Sequence, residues 1–382
     1  MLNTRQPVLR NFWYAAVPVA KLGEGPKPFR ILGQDIVLFL DTAGEPAALE
    51  DRCCHRTAKL SKGWVPNGHI VCGYHGWEYD SSGKLVKIPQ FPFEQAVPDA
   101  RARSFHAKAR YGYVWVCLGE PADDIPDLPY EDDVTFRRIH QFDEFWRCSA
   151  LRMMENSYDN AHFAFVHKGT FGDIDQPKPE KYELTETHYG FVAETIVPVR
   201  NPPQAARITD TSEPWTKRKM RNAWFMPFCR TMDMEYPSGL RHIIFNSATP
   251  VDDGSIQLIQ ILYRNDREED CSTAELIAWD KAIIEEDRDI LESTDPDAVV
   301  DMERKLEMHM PLGPARDADA QASERAARSA RGAGGPALTG DHRRPRPTTA
   351  ARGLASVTLR LHNGMTGCGG DLRCRAAPTP VR

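Results

Sequence analysis

The sequence predicts an α+β fold in which an all-β domain is followed by a mixed domain and a tail of different character. Strand-forming runs separated by turn residues occupy residues 10–118, as in the run Gly112–Leu118. Residues 119–312 combine strand patterns with two helical patterns. Beyond residue 312, Phe, Trp and Tyr disappear and Ala, Arg, Gly and Pro dominate. These three observations divide the chain near residues 118 and 312.

Local signals predict the individual elements of both domains. A turn signal at Gly33–Asp35, between two apolar runs, predicts a hairpin in the first domain. A second turn signal at Asp252–Gly254 joins the last two predicted strands of the second domain, because Gly accepts positive φ. Helices are predicted at 150–165 and 273–293, the second with a capping box at Ser272–Glu275. The strands predicted in the second domain are Asn222–Met234, Arg241–Ala248 and Ile256–Tyr263.

Composition and charge limit the classes of partner. The chain has 382 residues, enough for two domains with a sizeable core. It has no run of eighteen apolar residues, so we expect no membrane span. Nine scattered cysteines fit a reducing, cytoplasmic compartment better than a disulfide framework. Twelve Arg, no Lys and five acidic residues give residues 314–382 a charge of +7. The total of −6 therefore leaves −13 on the rest, which gives no reason to expect a nucleic-acid partner.

Residues 313–382 are predicted to form a disordered tail. A segment without large aromatic residues cannot bury enough apolar area to offset the entropy lost on ordering. Our hypothesis is that this tail is an out-of-frame translation or a dispensable extension, since GC-rich codons read in the wrong frame give such a mixture. An apolar helix encoded in another frame of the same DNA would support this hypothesis.

Two Cys–His pairs lie in the first domain, in Cys53-Cys54-His55 and Cys72-Gly73-Tyr74-His75, with sixteen residues between them. Two thiolates and two imidazoles suit either zinc or a 2Fe–2S cluster in which two His replace two Cys on one iron. Zinc ribbons usually show Cys-x2-Cys knuckles instead, and here His-Gly-Trp follows the second Cys. The pattern resembles the Rieske fingerprint, although Cys54 stands where that family usually has Pro. The resemblance implies that a 2Fe–2S cluster is held by Cys53, His55, Cys72 and His75.

A second concentration of polar and metal-binding residue types lies at Glu155–His167. Asn156, Asp159 and His162 recur every three residues, so we expect them on one helix face. His167 follows His162 by five residues. At ~100° per residue a regular helix would turn it roughly 140° away. The two imidazoles can therefore converge only if the helix widens or ends between them.

A third ligand is predicted on the helix at 273–293. On a helical wheel Asp287 falls near the centre of the apolar stripe, Glu286 at its edge and the other acids on the far side. A carboxylate in a buried stripe must be paired or bind metal. Two His and one carboxylate form the facial triad of non-haem Fe(II), with an ordinary ion pair as the alternative. The stripe consists of Leu276, Trp279, Ile283, Ile284, Ile290 and Leu291.

With both sites considered, residues 10–312 resemble the oxygenase component (α subunit) of Rieske non-haem iron oxygenases. The Asn156–Asp159 spacing and the Glu286–Asp287 pair are similar to the branch with vanillate and dicamba O-demethylases, pheophorbide a oxygenase and saxitoxin-pathway hydroxylases. The resemblance implies a Rieske domain at 10–118 and a helix-grip (START-like) catalytic domain at 119–312, with an antiparallel sheet and flanking helices. It implies that Asp159 bridges the two centres, with Asn156 in the same catalytic group. Mononuclear Fe(II) would be held by His162, His167 and Asp287.

The resemblance also implies a reaction. O2 and two electrons are consumed, one oxygen atom enters a small aromatic or polycyclic substrate by hydroxylation or oxidative demethylation, and the other leaves as water. A separate NAD(P)H-dependent reductase or ferredoxin would supply electrons, because no G-x-G-x-x-G fingerprint follows a strand. In this family a head-to-tail homotrimer places the cluster of one subunit beside the iron of the next, with His75 facing Asp159.

Three alternatives remain open at this stage. One is a ring-dihydroxylating dioxygenase α subunit, which product analysis with isotopic O2 would distinguish. Another is a Rieske electron carrier, which would need only the first domain. The third is a gene product made non-functional by its unusual tail.

The substrate pocket and the other histidines give weaker signals. Large apolar residues near the second site are candidates for a pocket lining, although most such residues serve the core. These candidates are Met153, Phe163, Phe165, Phe171, Trp224, Phe225 and Phe228. The histidines without ligand spacing are expected to be structural or exposed, and they are His106, His140, His188 and His242.

Overall fold

The computed structural model describes residues 3–92, 94–178, 180 and 183–295, and strands dominate this part of the chain. Within it, sixteen strands, β1 to β16 in chain order, pair in antiparallel sheets. They are Tyr14–Pro18, Lys27–Ile31, Gln34–Leu40, Pro46–Glu50, Ile70–Val71, Glu78–Tyr79, Leu85–Lys87, Ser104–Arg110, Tyr113–Cys117, Arg137–Trp146, Glu183–Glu186, Gly190–Arg200, Trp215–Phe225, Cys229–Glu235, Arg241–Pro250 and Ile256–Arg264.

Helices are few in the same residues, and none is long and apolar enough to cross a membrane. The α-helices, α1 to α4, are Ala150–Asn156, Phe163–Val166, Ala206–Thr209 and Thr273–Leu291. Short 3-10 helices lie at Asn3–Arg5, Pro7–Asn11, Val19–Glu24, Leu60–Lys62 and Pro203–Ala205.

The first domain is all-β, as predicted. A six-stranded sheet has the order β1-β9-β8-β4-β3-β2, and β5, β6 and β7 form a smaller sheet. The predicted hairpin is β2–β3, in which Ile31 pairs with Gln34. Its turn is Leu32-Gly33, one residue earlier than expected, with φ of 51° and 77°. Two positive φ values in a two-residue turn match the right-handed twist of the flanking strands.

The second domain contains a seven-stranded sheet of order β10-β16-β15-β14-β13-β12-β11. The strands predicted near 241–248 and 256–263 are confirmed as β15 and β16. The single strand predicted at Asn222–Met234 is wrong, because a turn at 226–228 separates β13 from β14. Pro227 has no N–H to donate to a neighbouring strand, so the ladder ends there. The strand ends are then held by Trp224, whose indole N–H donates to the Pro227 carbonyl at 2.9 Å.

The two predicted helices have different outcomes. The second is confirmed as α4, and the Ser272–Glu275 capping box is present. The continuous helix predicted at 150–165 is wrong, since α1 ends at Asn156 and α2 begins only at Phe163. Short polar side chains between them bond to nearby backbone and so compete with helical hydrogen bonds. The Ser157 hydroxyl donates to the Met153 carbonyl at 2.8 Å, and Asp159 accepts from the Ala161 N–H at 2.7 Å.

The sheets of the two domains share one apolar core. Trp115 of β9 packs in the same cluster as Phe245 of β15 and Ile259 of β16. Backbone hydrogen bonds join the domains directly, from the Leu32 and Gly33 amides to residues 250 and 251, both at 2.8 Å. On the other side of the second sheet, Leu276 of α4 joins a separate core cluster. The α+β fold class is confirmed.

Three predictions about the fold remain to be tested. The helix-grip classification of the second domain and the boundaries 10–118 and 119–312 stay predictions. The prediction for residues 313–382 lies outside the described residues.

Candidate metal centres

The two Cys–His pairs lie on loops closed by the same backbone pattern. In the first loop the Thr57 N–H donates to the Cys53 carbonyl at 3.0 Å, and in the second the Gly76 N–H donates to the Cys72 carbonyl at 2.9 Å. Each Cys N–H in turn donates to the carbonyl five residues ahead, both at 2.8 Å. Thr57 and Gly76 both have positive φ, 60° and 73°. Each loop therefore curls around its own cysteine.

The two loops bring their histidines together and their cysteines together. His55 and His75 have ring centroids 4.6 Å apart, and Trp77 stacks on His55 at 4.3 Å. Cys53 and Cys72 are buried. Burial raises the pKa of the Cys72 thiol, and the neighbouring Cys53 thiol raises it further. His55 Nδ1 is buried without a hydrogen-bond partner in the described residues. A buried ring nitrogen without a partner, in a pair of loops that also carry two buried thiols, fits a cluster that takes His and Cys ligands.

Tyr79 places a hydroxyl against the two neighbouring thiols. Its Oη lies 3.0 Å from Cys53 Sγ and 3.2 Å from Cys54 Sγ. Burial raises the pKa of Tyr79, and the two cysteines add to this effect, so the phenol keeps its proton. A thiolate offers no proton, so a metal-bound Cys53 would accept a hydrogen bond from Tyr79.

In the second domain, two imidazoles and one carboxylate converge. His162 Nε2 and His167 Nε2 lie 3.2 Å apart. Asp287 Oδ1 lies 3.5 Å from the first nitrogen and 3.4 Å from the second. Three ligands at right angles and ~2.1 Å from one metal ion would be separated by roughly 3 Å, so this triangle fits a facial metal site. His162 and His167 are the N-cap and C-cap of the single turn α2, so the helix ends between them, as the convergence was expected to require.

Hydrogen bonds fix two of these three side chains from behind. Asn156 Nδ2 donates to Asp287 Oδ1 at 3.1 Å. His167 Nδ1 lies 3.0 Å from Glu286 Oε2, which also accepts from the Thr170 hydroxyl at 2.9 Å. A carboxylate on the outer nitrogen sets the tautomer of a metal-binding His and raises its basicity. Asn156 and Glu286 therefore position the carboxylate and one imidazole.

Burial favours the uncharged imidazole at this site. It lowers the pKa of His167 to about 3, with further lowering by His162 and Arg218. Burial raises the pKa of Asp287, while His162, Asn156 and Arg230 act in the opposite direction. A neutral His with a free Nε2 is the form that binds metal.

Asp159 does not lie on the helix face predicted for it. It lies outside both α1 and α2, with 40% of its side chain exposed. Its Oδ2 is 3.8 Å from His162 Nδ1, a ring nitrogen that is buried and makes no hydrogen bond in the described residues. Asp159 thus lies between a ligand imidazole and the protein surface. Asn156, expected on the same face, ends α1 and contacts Asp287 instead.

A cavity opens on the three converging side chains. It is lined by all three and by both apolar and polar groups of the second sheet and α4. Of the predicted apolar lining, Phe163 and Phe171 are present, whereas Phe165 is 53% exposed at the surface. The other four candidates, which are not among its lining residues, are Met153, Trp224, Phe225 and Phe228.

His242 is a buried structural residue, as predicted, and it also lines this cavity. Its Nε2 is 3.0 Å from Asp280 Oδ2, and its Nδ1 is 3.0 Å from Arg264 Nη1. Arginine can only donate, so Nδ1 accepts and Nε2 carries the proton. His242 is thereby held neutral with both nitrogens occupied. The three others, His106, His140 and His188, are largely exposed.

Comparison with known proteins now identifies the family. The Rieske [2Fe-2S] domain matches residues 12–98, and the vanillate O-demethylase oxygenase C-terminal domain matches residues 146–330. The methylxanthine N1-demethylase NdmA of Pseudomonas putida is 30% identical over 307 residues, which are 78% of this chain and 84% of that protein. The chain belongs to the Rieske non-haem iron oxygenases. The match to an oxygenase C-terminal domain sets aside the electron-carrier alternative.

Solved structures share the fold of this Rieske oxygenase. NdmA from Pseudomonas putida CBB5 has a TM-score of 0.68 at 27% identity, covering 80% of this chain and 87% of that one. Dicamba monooxygenase bound to 3,6-dichlorosalicylic acid has a TM-score of 0.68 at 22% identity, covering 93% and 98%, a likeness of fold alone.

The predicted family, enzyme class and cofactors are confirmed. This Rieske oxygenase is an oxidoreductase that uses a 2Fe–2S cluster and a mononuclear non-haem iron. Oxygenase components of this kind work with a separate reductase or ferredoxin, with O2 and with small organic substrates.

Several residues that shape the iron site were missed or undervalued in the sequence. Glu286 was placed only at the edge of the helix stripe, although it holds His167. Gly172 was not noticed. A Cβ there would lie 2.1 Å from the Phe163 carbonyl oxygen and 2.8 Å from the His167 carbonyl carbon. The signal that points to Gly172 in the sequence is the occurrence of two glycines, Gly169 and Gly172, directly after the two histidines. Glycine is the usual residue where the backbone must approach its neighbours closely.

We predict that Gly172→Ala disturbs the iron site selectively. The added methyl group must push α2 away and separate His162 from His167. Iron per chain should fall from about three to about two, while the Rieske absorption spectrum stays unchanged. Gly23→Ala is the matched control, because a Cβ there meets nothing within 4 Å. Full iron content in Gly172→Ala would contradict this account of α2.

Proposed function

We propose that Cys53, His55, Cys72 and His75 hold the 2Fe–2S cluster of this Rieske oxygenase. The shared loop geometry, the converging rings and the buried unpartnered His55 Nδ1 support this assignment. The mononuclear iron is assigned to His162, His167 and Asp287, with Asn156 and Glu286 as positioning residues. We assign the cluster domain to residues 10–118 and the catalytic domain to residues 119–312.

The proposed activity is mono-oxygenation of a small aromatic or polycyclic molecule by hydroxylation or oxidative demethylation. The convergence of His162, His167 and Asp287 at the wall of a cavity carries this proposal. Names of relatives favour demethylation, since they include a methylxanthine N1-demethylase and a methylxanthine N3-demethylase. Chlorophyllide a oxygenase and a 4beta-methylsterol monooxygenase are further relatives, matched over smaller parts of this chain, and they support polycyclic substrates.

The residues divide the work of this reaction. When bound, a mononuclear non-haem iron with three protein ligands supplies open positions for O2 chemistry. Asn156 holds the Asp287 carboxylate, and Glu286 holds the His167 ring in one tautomer. Phe163 and Phe171 line the cavity with apolar surface that excludes water beside the ligand imidazoles. Asp159 places a carboxylate 3.8 Å from His162 Nδ1 on the surface side of the site.

We further propose that the working form is a cytoplasmic head-to-tail homotrimer fed by a reductase or ferredoxin. Tyr74, beside His75, is 65% exposed, and Phe165, between the two iron histidines, is 53% exposed. Each centre thus has an exposed aromatic neighbour available for an interface. The seven cysteines in the described residues are all free thiols, which agrees with a reducing compartment.

The function is tested with reconstituted enzyme, a generic reductase and a panel of N-methyl and O-methyl aromatic compounds. We expect about three iron atoms per chain, in ¹⁸O2 a single labelled atom in each hydroxylated product, and one formaldehyde released for each demethylation. Asp287→Ala should keep the cluster spectrum and lose the product. Two labelled atoms in a cis-diol would indicate the dioxygenase alternative, and a chain with two irons and no product would contradict the proposal.

For electron transfer we predict that Asp159→Ala retains both metal centres but loses coupled turnover. The substitution removes the carboxylate that we place between His162 and His75 of the neighbouring subunit, so electrons should reach the iron at least a hundredfold more slowly. Single-turnover kinetics from the reduced cluster would measure this rate. Asp289→Ala is the control, because Asp289 is an exposed carboxylate on α4. An unchanged rate in Asp159→Ala would remove Asp159 from the electron path.

For the cluster we predict that Tyr79→Phe lowers the reduction potential, by an amount on the order of tens of millivolts. Hydrogen bonds to cluster sulfur stabilise the reduced state, and Tyr79 is the hydroxyl nearest Cys53 Sγ. A redox titration followed by visible absorption measures the shift. Tyr113→Phe should leave the potential unchanged, since Tyr113 is buried in a different core cluster. A shift of equal size in both variants would speak against the Tyr79–Cys53 contact.

A further inference from the structure

Arg218 is a buried cation in the cavity wall that has no carboxylate partner within the described residues. It lies on β13, is only 7% exposed and lines the cavity that contains the iron triad. Its Nη1 donates to the Tyr236 hydroxyl at 3.3 Å, and its guanidinium lies 4.9 Å from the centre of the Phe171 ring. Its Nε is buried and makes no hydrogen bond there. An uncompensated buried charge is costly, so its retention requires an explanation.

Arg264, Arg137 and Arg241 of this domain have acidic partners, whereas Arg230, which lines the same cavity, donates to the Asn246 side-chain oxygen and the Ser157 carbonyl. Arg264 is fully buried and donates to Asp266 at 2.5 Å, and Arg137 donates to the same carboxylate at 2.8 Å. Arg241 pairs with Asp233 through two hydrogen bonds. Arg218 differs from Arg264, Arg137 and Arg241 because it has no acidic partner in the described residues, and it stands at a position where a bound molecule could supply negative charge.

The carboxylates that line the cavity are already engaged. Asp280 Oδ2 accepts from Gln141 at 2.6 Å and from His242 at 3.0 Å. Asp287 belongs to the proposed iron site. Neither forms an ion pair with Arg218. The cavity thus combines satisfied carboxylates with an unsatisfied guanidinium, and bound Fe(II) would add further positive charge.

Arg218 keeps two neighbouring donors that make no hydrogen bond in the described residues. Its single hydrogen bond uses Nη1, which leaves the Nε and Nη2 donors side by side. Two parallel N–H donors of one guanidinium match the two oxygens of a carboxylate. We propose that Arg218 anchors a substrate carboxylate, so that this oxygenase acts on small aromatic acids. This inference rests on the mono-oxygenase function proposed above.

The position of Arg218 also orients such a substrate. Phe171 contacts the guanidinium, and the same ring stacks on His167 with centroids 4.7 Å apart. One aromatic ring therefore connects the anion anchor with an iron ligand. A substrate acid would bind Arg218 through its carboxylate. Its aromatic ring would then lie toward His167 and the other proposed iron ligands. Arg218 acts as a specificity-determining residue, and the iron ligands remain the site of oxidation.

The test compares matched acids and amides on the iron-loaded enzyme. Binding of 3- and 4-methoxybenzoate and of the corresponding methoxybenzamides is measured anaerobically by calorimetry. The paired compounds share their shape and differ in charge. We expect the wild-type enzyme to bind the acids at least roughly tenfold more tightly than the amides, the worth of a charge-assisted hydrogen bond. Arg218→Gln should abolish this preference through weaker acid binding, with amide binding unchanged. Arg218→Lys should keep part of it.

Arg221→Gln is the matched control, because Arg221 lies on the same strand but is exposed. It should keep the full preference for acids. Iron content and the Rieske spectrum of each variant establish that the protein is folded. An acid preference that survives Arg218→Gln, a wild-type enzyme without any preference, or acids that fail to bind at millimolar concentration would each overturn the proposal.

Failure of this inference differs from failure of the proposed function. If Arg218 is no acid anchor, neutral compounds still acquire one oxygen atom from O2. If the chain is no mono-oxygenase, no compound of either class acquires labelled oxygen, whatever its affinity.

Discussion

The end of helix α2 at Val166, directly before His167, is the constraint on which the proposed catalytic site depends. Two imidazoles five residues apart would point in directions roughly 140° apart on a continuous helix at ~100° per residue. In this protein the chain leaves the helix after α1 and makes only the single turn α2 before His167. His162 and His167 thereby cap opposite ends of one turn, with their Nε2 atoms 3.2 Å apart.

Asp287, which we propose as the third ligand, lies on α4, a long regular helix, whereas the histidines lie at the ends of a single turn. α4 is regular over nineteen residues and begins at a capping box that fixes its first residue. Asp280 and Asp287 are seven residues apart, so they lie on the same face two turns from each other. One contacts His242 Nε2, and the other lies beside His162 and His167, the histidines that we propose as iron ligands. A regular helix is suited to this task because its constant turn per residue places both carboxylates on one face.

This contrast explains how much could be predicted from the sequence. Periodicity placed Asp287 on the buried stripe, and ligand spacing brought Cys53 and Cys72 to one site, because both depend on local pattern. The end of a helix between His162 and His167 was required by the chemistry of two His ligands, and α2 ends there, at Val166. The earlier break between Asn156 and Phe163 was not predicted, although Asp159 and Asn160 are weak helix formers. Arg218 and Glu286 could not be assigned a role, because their meaning comes from partners more than forty residues away. Gly172 is significant only through the backbone that it approaches.

The position of the two centres within one chain bears on how electrons pass between them. The described contacts of the His75 ring are with His55 and Tyr74, whereas Asp159 contacts Ala161 and His162. The sheets that carry the two sites are locked by a shared core and by the backbone bonds at Leu32. A packed core of this kind does not hinge freely to bring His75 to Asp159. Contact between the two centres is therefore most simply made between copies of the chain, which is why we propose the oligomer as the catalytic unit.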